Sequence, residues 1–187
     1  MSEDPLICFC APVLAGIKTA SLFSWPYPNE QELDADLAYY NTIFQKKGLS
    51  LRCLGKAKNR RLLYVCRASL LKQDLSQPLA KCMLKQLGYP IEDVWACLDF
   101  LTKRMRQSPT FPHEIGLFLG YPAKDVLCFM ENKSGKACHA CCYTGMWQAF
   151  HNPLQAQRLD LAYKHCIEAY MHAYRHGYTL ENLSIAM

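Results

Sequence analysis

An eight-residue phrase occurs twice in this chain, as Leu87-Gly-Tyr-Pro-Ile-Glu-Asp-Val and again as Leu119-Gly-Tyr-Pro-Ala-Lys-Asp-Val. Each residue type has a place in a helix corner. Glycine adopts the left-handed conformation that closes a helix, tyrosine packs back on the last turn, and proline opens the next helix without wasting an N–H. Asp93 and Asp125 then fall in a first turn, where negative charge suits the helix dipole. The chain is thereby committed to helix–corner–helix units. With two copies and no third, a solenoid is not expected.

The copies diverge upstream of the corner. Lys81, Lys85 and Gln86 of the first become His113, Leu117 and Phe118 in the second, while Leu84 becomes Gly116. The second helix has lost its polar face and is expected to be buried on most sides. A glycine within such a helix costs about 1 kcal/mol relative to alanine, so Gly116 points to close approach by another backbone or a ligand. Pro112 fits the first helical position, which places His113 and Glu114 at the positive end of a buried helix, as a base or ligand and its orienting anion.

Around this core the periodicity alternates between helix and strand. Residues 10–23 read as a short helix after Pro12, and Trp25-Pro-Tyr-Pro as a stiff connector. Asn29 caps the next helix with Glu32 reaching back, and Gly48 ends it. Leu49–Cys53 and Leu62–Arg67 read as a β-hairpin, and the segment around residues 140–150 supplies one further strand. Helices open at Ser76 with Pro78, along Ile91–Met105, and at Asn152 or Pro153. The expected fold class is α+β: a single domain over residues 1–187, mainly helical, with a small antiparallel sheet and the repeated corner.

A chain of 187 residues buries roughly 70% of the surface its unfolded form exposes, so neither a disulfide nor a metal is needed to hold it. No stretch approaches the roughly 20 apolar residues of a membrane span. The acidic Met1-Ser-Glu-Asp-Pro start is unlike a secretory signal. The expectation is a cytoplasmic protein with no membrane partner. The eleven cysteines are then expected to be reduced, and those in apolar segments to act as small hydrophobes.

The runs "FPHEIGLFLGYPAKDV" and "ENKSG", the glycine-aromatic segment around Trp147, the start "CAPVLAGIKTASLF" and the strand ending at Tyr64-Val-Cys-Arg67 resemble the bacterial family of domain of unknown function 3793. The resemblance spans most of the chain. It implies an uncharacterised cytosolic protein of anaerobic bacteria whose gene surroundings point to iron homeostasis or flavodoxin. Phe9 stands where the family pattern has histidine, and Gln148-Ala-Phe where it has Lys-Val-Tyr.

Three constellations carry chemical expectations. If Pro12 starts a helix, Cys10 lies at its N-terminal end, where the dipole favours a thiolate; His113 and Glu114 supply the types needed as base and orienting group. Arg67, with Lys18 and Tyr121, would bind a small anionic substrate. The leading expectation is thus a thiol-dependent enzyme. Cys138-x-x-Cys141 with His139 inside it has metal-like spacing, which gives the alternative of a zinc, iron or metallocofactor binding protein. Lys46, Lys47, Arg52, Lys56, Lys58, Arg60 and Arg61 form a basic run centred on the hairpin turn. It could meet phosphates, the second alternative being an interaction module, but aromatics and RNA-binding motifs are missing from it. Nucleic acid is not expected as a partner.

Overall fold

A computed structural model describes residues 1–57, 59–108, 110–136 and 138–186; Lys58 of the basic run lies outside the described residues. The chain divides into two compact units, one formed by Met1–Leu70 with the segment from Tyr163 onward, the other by Leu71–Ala162. The fold class is α+β, helix-rich with small antiparallel sheets. Among the described residues no helix is long and apolar enough to cross a membrane.

The first unit opens with α1 (Glu3–Leu14), β1 (Ala20–Pro26), α2 (Glu30–Gln45), β2 (Leu49–Ala57) and β3 (Arg60–Arg67). The expected hairpin is present and antiparallel, with Leu51 opposite Val65 and a bulge between Cys53 and Gly55. Strand order is β1-β3-β2. The central position of β3 explains its nearly unbroken apolar run: Leu63, Tyr64, Val65 and Cys66 are all sealed, as on a strand buried on both faces.

Two expectations are corrected here. Residues 10–23 are not a helix after Pro12: α1 begins at Glu3, carries Pro12 in its last turn, and is followed by β1. Glu3 and Asp4 lie in the first turn, and Pro5 just after, where a helix tolerates the missing N–H. Pro12 near the other end leaves the chain free to turn, and its carbonyl accepts from the N–H groups of Ile17 and Lys18. Segment 20–26 then pairs with β3, Leu22 opposite Tyr64, and is the third strand of the sheet.

Asn29 caps α2 by accepting from the Glu32 N–H, and Glu32 returns to the Asn29 side-chain amide rather than its backbone. Asn41, toward the C-terminal end of α2, both donates to the Leu51 carbonyl and accepts from the Leu51 N–H, each at 2.9 Å, which pins the helix to edge strand β2. Leu6, Cys10, Val13 and Leu14 of α1 and Leu33, Tyr40 and Phe44 of α2 share one core with Phe23, Leu51, Leu63 and Val65 of the sheet.

After α3 (Ala68–Leu75), the second unit contains α4 (Pro78–Gln86), α5 (Val94–Gln107), α6 (Ile115–Phe118), α7 (Ala123–Lys133) and the two-residue strands β4 (Tyr143–Thr144) and β5 (Gln148–Ala149). The strand expected near 140–150 is therefore a separate minimal hairpin and not part of the sheet. Next come α8 (Pro153–Arg175) and, in the first unit, α9 (Leu180–Leu183). Leu180 N–H donates to Glu3, so the start of α9 is tied to the start of α1.

Both corners close as the repeated phrase implies. Gly88 and Gly120 have φ of +81° and +76°. The N–H of Tyr89 reaches back to Leu84 O and that of Tyr121 to Gly116 O, the long bond of a Schellman cap. The helices beyond the corners start differently: α7 begins directly after Pro122, whereas α5 waits until Val94, with Asp93 as its N-cap.

Candidate functional site

In the first unit, Cys10 lies inside α1 and has no exposed surface. Burial pushes its thiol far above the ordinary value, outweighing the pull of nearby Lys18. The helix start that would have favoured a thiolate there does not exist, so Cys10 is a core hydrophobe. Lys18 itself is buried, its ammonium 5.8 Å from the centre of the Tyr163 ring. Burial lowers the Lys18 pKa to about 8, with Cys10 acting in the other direction.

Arg67 is fully buried. Its Nε donates to Val13 O at 2.6 Å, Nη2 to Leu14 O at 2.5 Å and Ile185 O at 2.8 Å, and Nη1 to Lys47 O at 3.1 Å. These carbonyls belong to the end of α1, the residues after α2 and the segment after α9. Helix ends leave carbonyls without intrahelical donors, and one guanidinium fork satisfies several of them. Arg67 is a bracket, not a substrate clamp.

His113 and Glu114 belong to the second unit, and they do not act as a pair. The expected buried helix is a single turn with Glu114 as its N-cap. Glu114 is buried and accepts from Tyr89 Oη at 2.9 Å and from Arg104 Nε at 2.7 Å. Burial first, and then the Glu114 charge, hold the Tyr89 phenol protonated far above its usual range. His113 instead presents its imidazole edge-on to Phe129, ring centres 5.0 Å apart.

That imidazole lines a hollow of about 240 Å³ together with Phe111, Gly116, Tyr121, Phe129 and Trp147. Gly116 is explained by packing: a Cβ there would come within 2.8 Å of Val126 Cγ2. The aromatic wall is positioned by direct contacts. Tyr121 stacks on Trp147 with centres 5.3 Å apart, and its hydroxyl donates to Met146 O.

Asp125, the corner aspartate, is buried in α7 and collects four hydrogen bonds, from Trp147 Nε1, the N–H groups of Phe150 and His151, and His151 Nδ1. Asp160 on α8 holds the other end of the same hairpin, accepting from Tyr143 Oη at 2.8 Å and Met146 N at 3.1 Å. Two carboxylates therefore pin the segment that carries Trp147. A larger hollow of about 560 Å³ lies beyond Trp147 and Asp125, bordered also by Lys124, His151 and Gln155. Sequence reading missed Asp125, Trp147 and Asp160 as builders of this site. The available signal was an aspartate directly after a corner whose helix had lost its polar face, followed by Tyr143-x-Gly-x-Trp147.

The cysteine cluster differs from the metal-ligand expectation. Cys138 is joined to Cys128 of α7 in a disulfide, so not all cysteines are reduced, while Cys141 and Cys142 are free and exposed. His139 is exposed and its ring meets that of His151, centres 5.2 Å apart. Among the described residues no group of three or more His, Cys, Asp or Glu side chains is placed to hold a metal ion. The basic hairpin is partly neutralised at its base: Glu30 of α2 pairs with Arg61 at 2.7 Å and Lys56 at 3.3 Å, and Arg60 is turned onto Ser24.

No curated protein and no solved structure matches this chain. The family model described as "Protein of unknown function (DUF3793)" matches residues 6–184. A match over nearly the whole length makes this chain a member of that family.

Proposed function

We propose that this protein binds a small, flat, mostly apolar molecule in the hollow of its second unit. The observation that carries the reading is the concave aromatic surface at Trp147 and the contacts that position it. Its indole is fixed by the buried Asp125, backed by Tyr121, and borders a hollow lined chiefly by apolar and aromatic groups. Ligand sites are typically concave, apolar and preformed, with few polar groups to set orientation. His113, Tyr121 and Asp125 are the titratable side chains that line this hollow; the Asp125 oxygens are engaged by the hairpin and the Tyr121 hydroxyl donates to Met146 O. A volume of about 240 Å³ favours a one- or two-ring compound. The Cys10-centred enzyme loses support because its thiol is sealed and protonated, and the metal reading because Cys138 is bonded to Cys128.

Thermal unfolding and ligand-observed NMR with indole, 2-naphthol and p-cresol, against polar and open-chain controls, test this. The expected outcome is stabilisation by the flat compounds, worth about 2.7 kcal/mol at a hundred times Kd. Leu119→Trp, which fills the hollow, abolishes it, and His113→Ala weakens hydroxyl-bearing ligands more than indole. If no flat compound binds, or if binding survives Leu119→Trp unchanged, the reading is wrong.

A further inference from the structure

The disulfide and its two neighbouring thiols are unlike one another in ways that matter for sulfur chemistry. Cys128 is sealed within α7, Cys138 is partly exposed on the segment before the hairpin, and Cys141 and Cys142 are exposed. Thiol–disulfide exchange depends on which sulfur an incoming thiolate can reach. Only the Cys138 end of the bridge is open to one.

The segment is also held independently of the disulfide. Asn132 lies one turn after Cys128 on the same face of α7. Its side chain accepts from Cys138 N–H at 2.8 Å and donates to His139 O at 3.0 Å. These two bonds hold the backbone at Cys138 and His139 without involving the Cys138 sulfur. Cys142 is committed to the hairpin, its N–H donating to Ala149 O at 2.9 Å and its sulfur 3.1 Å from the same oxygen. The Cys141 sulfur lies 3.2 Å from Tyr143 O, 3.5 Å from Thr144 Oγ1 and 3.6 Å from Ala149 O, and Cys141 stands one residue further from the strand pairing, which begins at Tyr143.

We infer that Cys128, Cys138 and Cys141 form a thiol–disulfide exchange site that reacts with an external low-molecular-weight thiol, with Cys138 as the attacked sulfur and Cys141 as the resolving thiol. The incoming thiolate forms a bond to Cys138 Sγ as the Cys138–Cys128 bond breaks, and the electron pair leaves on Cys128 Sγ, which takes up a proton. Cys141 then loses its proton and attacks Cys138 Sγ. The mixed disulfide breaks, the external thiol departs and is protonated, and the bridge has moved to Cys138–Cys141 with no net oxidation. A second thiol equivalent acting on the mixed disulfide instead reduces the site by two electrons and leaves as its own disulfide.

The test uses the full chain purified without reductant. It is mixed with N-acetylcysteine, quenched with acid, alkylated, and mapped by peptide mass spectrometry. The expected result is an early adduct on Cys138 with Cys128 newly alkylated, followed by a Cys138–Cys141 bridge. Cys142→Ser reproduces this pattern, whereas Cys141→Ser forms no new bridge and holds roughly tenfold more adduct on Cys138. An adduct on Cys128, a new bridge that uses Cys142, equal adduct levels in Cys141→Ser and the parent chain, or Cys128 and Cys138 both alkylated before thiol is added would each overturn the assignment.

Discussion

In the first corner Leu84 fills the position that Gly116 holds in the second, and Asp93 stands where Asp125 does. The backbones match, with glycine left-handed at both turns and the tyrosine N–H bonded five residues back. The side chains then do opposite things. Tyr89 turns inward, and its hydroxyl helps hold Glu114 at the start of α6. Tyr121 turns its ring onto Trp147. Asp93 caps α5 at the surface by accepting from Trp95 N–H, while Asp125 is buried and organises the tryptophan hairpin. A repeated phrase thus specifies a turn of the backbone, and the chemistry is decided by what the surrounding residues bury.

The sharpest way to break this comparison is to truncate both aspartates. Asp125→Ala leaves several buried donors without an acceptor and is expected to cost about 3–5 kcal/mol in urea unfolding. Asp93→Ala removes an exposed cap and costs about 1 kcal/mol. Equal losses would mean that the two corners are energetically the same device.

Next in size is the pair at the other end of the phrase. Leu84→Ala empties a buried site and should cost about 3 kcal/mol. Gly116→Ala adds a methyl against Val126, 2.8 Å away, and is expected to cost about 1–3 kcal/mol through overpacking. The same alanine is thus harmful for opposite reasons, and a Gly116→Ala/Val126→Ala double variant should recover part of the loss relative to the sum of the singles.

Where the corners agree, so should their variants. Gly88→Ala and Gly120→Ala each force a Cβ into positive φ and are expected to lose about 1 kcal/mol apiece. A large inequality between them would show that the shared backbone is not shared energetically.

The tyrosines give the smallest and most pH-sensitive contrast. Tyr89→Phe loses a buried hydrogen bond, about 1 kcal/mol near neutral pH, and Tyr121→Phe only a few tenths. In the folded chain the Tyr89 phenol keeps its proton after the unfolded chain has begun to lose it near pH 10. The unfolded state then binds fewer protons, so this contribution to stability is whole below pH 10 and is lost as pH rises above it, by up to about 1.4 kcal/mol per pH unit. Alkaline unfolding curves should therefore be shallower for Tyr89→Phe than for the parent chain, with Tyr121→Phe serving as the reference.

Legibility in the sequence followed the range of the interaction involved. The β2–β3 hairpin, the Asn29 cap and both corners are specified by residues within a few positions of each other, and all are readable. The strand β1 is not, because its pairing with β3 spans about forty residues of chain and Pro12 offers a misleading local start. Arg67 stands out in the sequence as a cation at a strand end, which suggests an anionic substrate. Its actual partners are main-chain carbonyls, which carry no residue identity to read. Among the candidate site residues, His113 and Tyr121 line the hollow as members of an aromatic wall. Glu114 is drawn away by Arg104 and Tyr89, partners from other elements that no spacing could announce.

The Arg67 bracket has a consequence for the order in which the chain is secured as it is made. Residues 71–162 leave the ribosome as one uninterrupted stretch and can close on themselves early. The other unit has to wait: until Ile185 emerges, the guanidinium has only its carbonyl partners at Val13, Leu14 and Lys47, and Leu180 has yet to reach Glu3. During that interval Arg67 lacks one of its four carbonyl acceptors, so the first unit is expected to be fully secured only after Ile185 has been made, later than residues 71–162.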